Sequence, residues 1–285
     1  MNNYQIITDS GCDLPQSMID SMNILVQPLL VNFRGETLPD SVDAGVREFY
    51  AGLRAGDVAT TSAINPEGWK GIIEPVLKEE KDALVVTFSS GLSTTYQSAV
   101  IAADELLEEY PQRKIRVVDS LAASLGQGLL MHYICAKRDE GLSLDALADW
   151  VEENRQKLCM WFTVDDLMFL KRGGRVSAAT ALVGTMLQIK PILHVDEEGH
   201  LINMAKCRGR KASIQALAAK LKEAGMQNDL AYICHGDCIE DAEYLANYLK
   251  ENCGVKEVFI GYTGAVIGSH SGPGTLALFY LGNNR

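Results

Sequence analysis

At 285 residues, 47% of them hydrophobic and 22% charged, the chain is long enough for two folded domains and has no disorder signature. A formal net charge of −11 argues against nucleic acid as a partner, because binding phosphates requires a positive field. The most apolar segment, 176–195, is interrupted by Lys190 and Pro191, which argues against a membrane span. The N-terminus "MNNYQIITDSG" lacks the basic start and apolar core of a secretion signal, so a cytoplasmic location is expected.

In chain order, "YQIITDS" reads as a short buried strand and "LPQSMIDSM" as the first helix. "ILVQPLLVNF" reads as a second strand with "RGETLPDS" as its turn, and "VREFYAGLRAG" has helical spacing closed by a glycine. "EGWKGIIEPVLKEEK" predicts a helix interrupted by Pro75. "DALVVTF" predicts a strand. In "TTYQSAVIAADELLEEYP", Ala99, Val100, Ala103, Leu106, Leu107 and Tyr110 share one helical face, and Pro111 stops the helix. "KIRVVDS" and "GLLMHYICAKRDEG" repeat the strand–helix pair. This alternation predicts an α/β fold with a doubly wound parallel sheet.

After "SLDALADWVEENRQK" the rhythm changes. "LCMWFTV", "KPILHVD" and "HLINMAKCR" read as strands, the last two as a hairpin through "EEG". "KASIQALAAKLKEAG" and "IEDAEYLANYLKENCG" read as helices, and "LAYICHG", "VKEVFIGYT" and "TLALFYLG" as strands. The expectation is two α/β domains: residues 1–155 around the parallel sheet, and 156–285 around a mixed sheet.

Four polar clusters fall at predicted strand ends, where parallel α/β domains collect ligands: "TDSGCD", "TTSAINP" at 60–66, "SSGLSTT" at 89–95 and "VVDS" at 117–120. Each alone reads as a cap or turn; four in one half predict a shared polar crevice. No P-loop pattern occurs. "GPGTLA" at 272–277 matches a dinucleotide fingerprint but leaves no room for the βαβ unit that must follow. "SSGLS" lacks the second glycine of a hydrolase elbow. Seven scattered cysteines argue against a disulfide framework. The nearest pair, Cys234 and Cys238, has no further Cys or His at metal-ligand spacing, so neither a metal nor a cofactor is expected.

His270, held among small residues in "GSHSGPG", is either structural or placed for close approach of a ligand. "KRGGR" at 171–175 is either a solvated turn or an anion or partner contact. Residues 176–189 have almost no polar face, which suits ordinary core or a narrow slot for something linear and apolar.

Taken together and in order, "TDSGCDLP", "TTSAINPE", "SSGLSTTYQSA", "VVDS", "KRGGRVS", "LQIKPIL" and "SHSGPG" resemble the DegV family nearly end to end. The resemblance implies two α/β domains with a long-chain fatty acid at their junction. Its carboxylate would be held by Thr61, Ser62, Ser93 and His270. It also implies a role like that of the FakB-like subunits of fatty acid kinase: lipid binding that feeds phospholipid metabolism, without an enzymatic site of its own. The acid would be presented to a partner fatty acid kinase catalytic subunit for acyl-phosphate formation, with Arg172, Arg175 and Arg208 as partner contacts. Ala63 and Ile64 stand where the family reads Gln and Pro, and Thr94 where glycine is common. The first departure reshapes the loop near the head group, and the second puts a Cβ where backbone approaches the ligand.

The chemistry of the residues agrees with that implication. Hydroxyls and an imidazole can satisfy the oxygens of a buried carboxylate, and an acyl tail supplies affinity by burial. Two other readings stand beside it: a small-molecule hydrolase or acyltransferase using Ser93 and His270, and a lipid carrier or sensor with no kinase partner.

Overall fold

The computed structural model describes residues 3–177, 188–224 and 229–285. The apolar stretch 178–187, most of the segment read above as core or slot, lies outside the described residues.

The first half is organised by a four-stranded parallel sheet in the order β2–β1–β6–β7: Leu25–Gln27, Tyr4–Asp9, Asp82–Thr87 and Ile115–Asp119. Its central strands have no polar face: Ile6, Ile7, Leu84, Val85 and Val86 are all shielded, as strands covered on both sides must be. Helices α1 (Gln16–Met22), α2 (Val46–Ala55), α3 (Pro66–Lys78), α4 (Thr95–Glu109), α5 (Leu125–Asp139) and α6 (Leu144–Asn154) fall in this half. α3 runs unbroken through Pro75, against the expected interruption. Trp69, Ile73, Val76 and Leu77 are buried on both sides of the proline, and their packing outweighs the one backbone bond it removes.

The segment read as one second strand is two strands in different sheets. Pro28 has no N–H for a ladder, so the chain leaves β1 there. It continues as β3 (Leu30–Phe33), which pairs antiparallel with β4 (Glu36–Pro39) and β5 (Ala59–Ser62) in a separate three-stranded sheet. Arg34 and Gly35, at φ 52° and 82°, make the two-residue turn between β3 and β4. The middle half of "RGETLPDS" is therefore strand, and so is the hydroxyl-rich start of "TTSAINP".

The second half is built on a six-stranded mixed sheet in the order β10–β9–β8–β13–β11–β12. Its strands are Leu201–Arg208, Ile189–Val195, Leu158–Thr163, Leu276–Leu281, Leu230–His235 and Glu257–Tyr262. β9 and β10 form the expected hairpin, and β11 and β12 run parallel. α8 (Arg210–Glu223) and α9 (Ile239–Cys253) are the two helices read from the sequence. Two short helices were not anticipated: α7 (Met168–Arg172), which opens "KRGGR", and α10 (Ala265–Ser271), which carries His270.

Each half reaches into the other. α5 packs on β8, β11 and β13 of the mixed sheet, and Gly126 comes so close that a Cβ there would stand 2.8 Å from the Met160 sulfur. α10 packs in return against β3, β5 and α2. The fold is two α/β domains joined by these exchanged contacts.

Candidate functional site

The serine-rich loop after β6 divides its hydroxyls between scaffold and cavity. Ser89 is fully buried and donates to the Gly199 carbonyl at 2.9 Å, which ties the loop to the tip of the β9–β10 hairpin. Gly91 makes that contact possible: a Cβ there would stand 2.8 Å from the Glu198 and Gly199 carbonyls. Ser93 Oγ shares a hydrogen bond of 2.9 Å with Thr95 Oγ1 and accepts from the Thr95 amide at 3.3 Å, at the start of α4. Trp69, fully buried, donates Nε1 to the Thr95 carbonyl at 3.1 Å and so fixes that start.

Across from this loop, Thr61 of β5 meets His270 of α10. Their Oγ1 and Nε2 atoms are 2.7 Å apart although the residues lie 209 positions apart in the chain. His270 Nδ1 is buried with no hydrogen-bond partner among the described residues. Burial, and then the neighbouring Arg175 guanidinium, push its pKa down to about 4, so the ring is neutral at pH 7.

These side chains wall one cavity of about 390 Å³. Thr61, Ser62, Ser93, His270 and Arg175 all line it. The rest of the wall is mainly apolar: Leu29, Phe88 and Leu92 from the first half, Met160, Phe162, Ala277 and Phe279 from the mixed sheet, Val195 and Leu201 from the hairpin, and Val266 and Ile267 from α10. A mainly apolar pocket with hydroxyls, an imidazole and a guanidinium in its wall can take a ligand that is largely hydrocarbon and carries a polar group.

The structure brings Thr61, Ser62, Ser93 and His270 to one cavity, and it separates the three arginines. Arg172, on α7, is exposed and stands over the Phe169 ring at 4.8 Å. Arg208 is exposed at the end of edge strand β10. Arg175 turns inward: it donates to the Leu92 carbonyl at 3.2 Å and to the Gly173 carbonyl, and lines the cavity beside His270. Sequence reasoning grouped it with the surface charges and missed its inward course; the paired glycines before it were the available signal. Val266 and Ile267 were missed because α10 was not read as a helix.

A second recess of about 270 Å³ adjoins the first and shares Thr61, Arg175 and His270 with it; Arg172, Gly173 and Asp57 also line it. Of the two departures in the "TTSAINP" loop, Ala63 is exposed at the cavity wall, whereas Ile64 is buried in the core beside Trp69 and Ile73. Asn65 then caps α3 by accepting from the Gly68 amide at 2.8 Å. No cluster of metal-ligating side chains occurs among the described residues, and all seven cysteines are free thiols. No helix among the described residues is long and apolar enough to cross a membrane.

The model of the DegV family, which it describes as uncharacterised protein, matches residues 3–283. A DegV domain-containing protein of Clostridium perfringens is 43% identical over 289 residues, covering 100% of this chain and 99% of its own length. The structure of a fatty-acid-binding DegV family protein from Thermus thermophilus superposes with a TM-score of 0.89 at 32% identity, over 98% of this chain and 99% of that one. The fatty acid kinase B3 protein of Streptococcus pneumoniae, loaded with linoleic acid, shares the fold at a TM-score of 0.86 and 23% identity, over 99% and 100% of the two chains.

Proposed function

This chain belongs to the DegV family, and we propose that it binds one long-chain fatty acid and presents the carboxylate to a cytoplasmic, ATP-dependent kinase. The observation that carries the reading is one mainly apolar cavity whose wall includes Thr61, Ser93, His270 and Arg175. A tail of about sixteen carbons buried there is worth on the order of 12 kcal/mol at ~0.8 kcal/mol per methylene, an upper bound before ordering costs.

The head group is held by donors of two kinds. Thr61, Ser93 and the neutral imidazole of His270 offer hydrogen bonds, and Arg175 supplies the positive charge that a desolvated carboxylate needs. The second recess, sharing Thr61, Arg175 and His270 with the first, is the route by which a phosphoryl donor on the partner reaches the carboxylate, with Arg172 at its edge. Arg172 and Arg208 are the outward contacts for that partner.

A hydrolase would need Ser93 paired with His270 and an acid on the far side of the ring. Instead Ser93 bonds Thr95, His270 bonds Thr61, and Nδ1 has no partner among the described residues. The deciding experiment is extraction of lipid from protein purified out of cells, with native mass spectrometry of the same sample. One long-chain fatty acid per chain is expected. A nucleotide, a sugar phosphate or an empty protein that fails to take up added palmitate would overturn the reading. Lipid uptake without acyl-phosphate formation by any fatty acid kinase would reduce it to a carrier.

A further inference from the structure

Three carboxylates beside the cavity, Asp9, Asp13 and Asp40, are almost completely buried and are held by neutral donors. Asp9 stays within the first half, accepting from the Phe88 amide at 2.7 Å, the Gly11 amide at 3.0 Å and Gln127 Nε2 at 3.3 Å. The other two reach across to α10. Asp13 accepts the Gly264 amide on Oδ1 at 3.0 Å, while Ser124 Oγ donates to its Oδ2. Asp40 accepts the Val266 amide on Oδ1 at 3.0 Å and Ser10 Oγ on Oδ2 at 2.9 Å.

The fit around these bonds is tight. A Cβ on Gly264 would stand 2.6 Å from Asp13 Oδ1 and 3.2 Å from Asp40 Oδ1. Tyr50, fully buried, donates to the Thr263 carbonyl at 2.8 Å, and a Cβ on Gly268 would stand 2.5 Å from its hydroxyl. Ser124 holds φ 56° and ψ −150°, a region costly for any residue but glycine, while it donates to Asp13. One end of α10 is thus gripped by side chains from the first half, and its last turn carries His270 against Thr61.

We propose that Asp13 and Asp40 are positioning residues for head-group recognition: through the Gly264 and Val266 amides they set the placement of α10, and so the point at which His270 meets the carboxylate. Burying two carboxylates is expensive, and apolar packing would hold a helix at lower cost. What a carboxylate adds is a pair of acceptors in fixed directions. Asp40 uses its pair to join α10 to the loop after β1, and Asp13 uses its pair to join α10 to the start of α5. The "TDSGCD" cluster and Asp40 of the β4–α2 segment find their use here, one step behind the residues that touch the ligand.

This inference rests on the head-group reading above, and its test keeps the two apart. Palmitate affinity is measured for Asp40→Ala, Asp40→Asn and His270→Ala, and for Asp40→Ala combined with His270→Ala. The histidine ring signals are followed by nitrogen-15 NMR in the wild type and in Asp40→Ala. Asp40→Ala should weaken palmitate binding roughly tenfold or more, and Asp40→Asn, which keeps one acceptor for the Val266 amide, should recover most of it. In the His270→Ala background the Asp40→Ala change should cost nothing further, because its effect passes through the missing ring. Only the His270 signals should move. An equal loss in both backgrounds, an unchanged affinity, or His270 signals that stay in place would overturn the proposal. If Asp40→Ala does not fold, Ser10→Ala removes the second donor to the same carboxylate and is read by the same criteria. If His270→Ala itself leaves palmitate affinity intact, the head-group reading fails, and the His270 signals alone decide whether Asp40 positions α10.

Discussion

Gly173 lies directly against the imidazole of His270: a Cβ at position 173 would stand 2.0 Å from Nδ1. Its φ of −72° is ordinary for any residue, so the requirement for glycine here is space. Its neighbour Gly174 is the reverse case, with a φ of 71° and nothing within 4 Å of a Cβ.

The two glycines therefore predict different losses. Gly173→Ala should displace His270 and weaken fatty-acid binding by about tenfold or more. Gly174→Ala should lower stability by roughly 1 kcal/mol through backbone strain and leave affinity within about twofold. Palmitate titration and urea unfolding of both variants check this. A Gly173→Ala protein that binds normally would remove His270 from the head-group site.

Ser93→Ala and Thr61→Ala should each weaken binding by roughly 5–150-fold, the cost of about 1–3 kcal/mol for leaving a buried acceptor without its donor. The Ser93 variant should lose slightly more stability, because its hydroxyl also accepts from the Thr95 amide at the start of α4. Dissociation constants that match wild type in both, with normal circular dichroism, would show that the carboxylate lies elsewhere.

The arginines should separate by readout. Arg175, half-buried at the cavity wall, should reduce fatty-acid affinity when changed to Ala. Arg172→Ala and Arg208→Ala, both at exposed positions, should spare affinity and slow acyl-phosphate formation with a partner kinase. Added salt should slow the wild type in the same assay, as charge-steered association requires. A uniform loss of lipid binding in all three would place the exposed pair in the lipid site instead.

Asp9 and His270 pull the stability–pH profile in opposite directions. Burial raises the Asp9 pKa from 3.8 to about 7 in the folded protein. Its contribution is present below the unfolded value and is lost as pH rises through 7. Burial lowers the His270 pKa from 6.5 to about 4, so its contribution is present above 6.5 and is lost as pH falls through 4. Urea unfolding between pH 4 and 8 should show the stability difference between wild type and Asp9→Asn shrinking as pH rises. The difference between wild type and His270→Gln should grow over the same range up to about 6.5. Two parallel profiles would mean that neither group is shifted by the fold.

The type of most elements and the two-domain α/β class were legible in the letters, because apolar period is a local property that burial then enforces on each strand and helix. Elements whose letters are polar or broken were misjudged. β4 and β5 carry turn-like residues yet form strands because β3 offers ladder partners, and Pro28 redirects the chain into a second sheet. α10 stayed hidden because a seven-residue segment, "AVIGSHS", is too short to show a helical stripe; tertiary donors and acceptors hold it in place. Thr61, Ser62, Ser93 and His270 were singled out through the family resemblance, and all four line one cavity. Their meeting could not be read from the letters, since the Thr61–His270 bond spans 209 positions and depends on α10 crossing into the first half. The inward course of Arg175 and the grip of Asp13 and Asp40 on α10 were decided by the tertiary structure alone. A side chain's direction, and the amide it meets, follow from how distant elements pack rather than from the residues beside it.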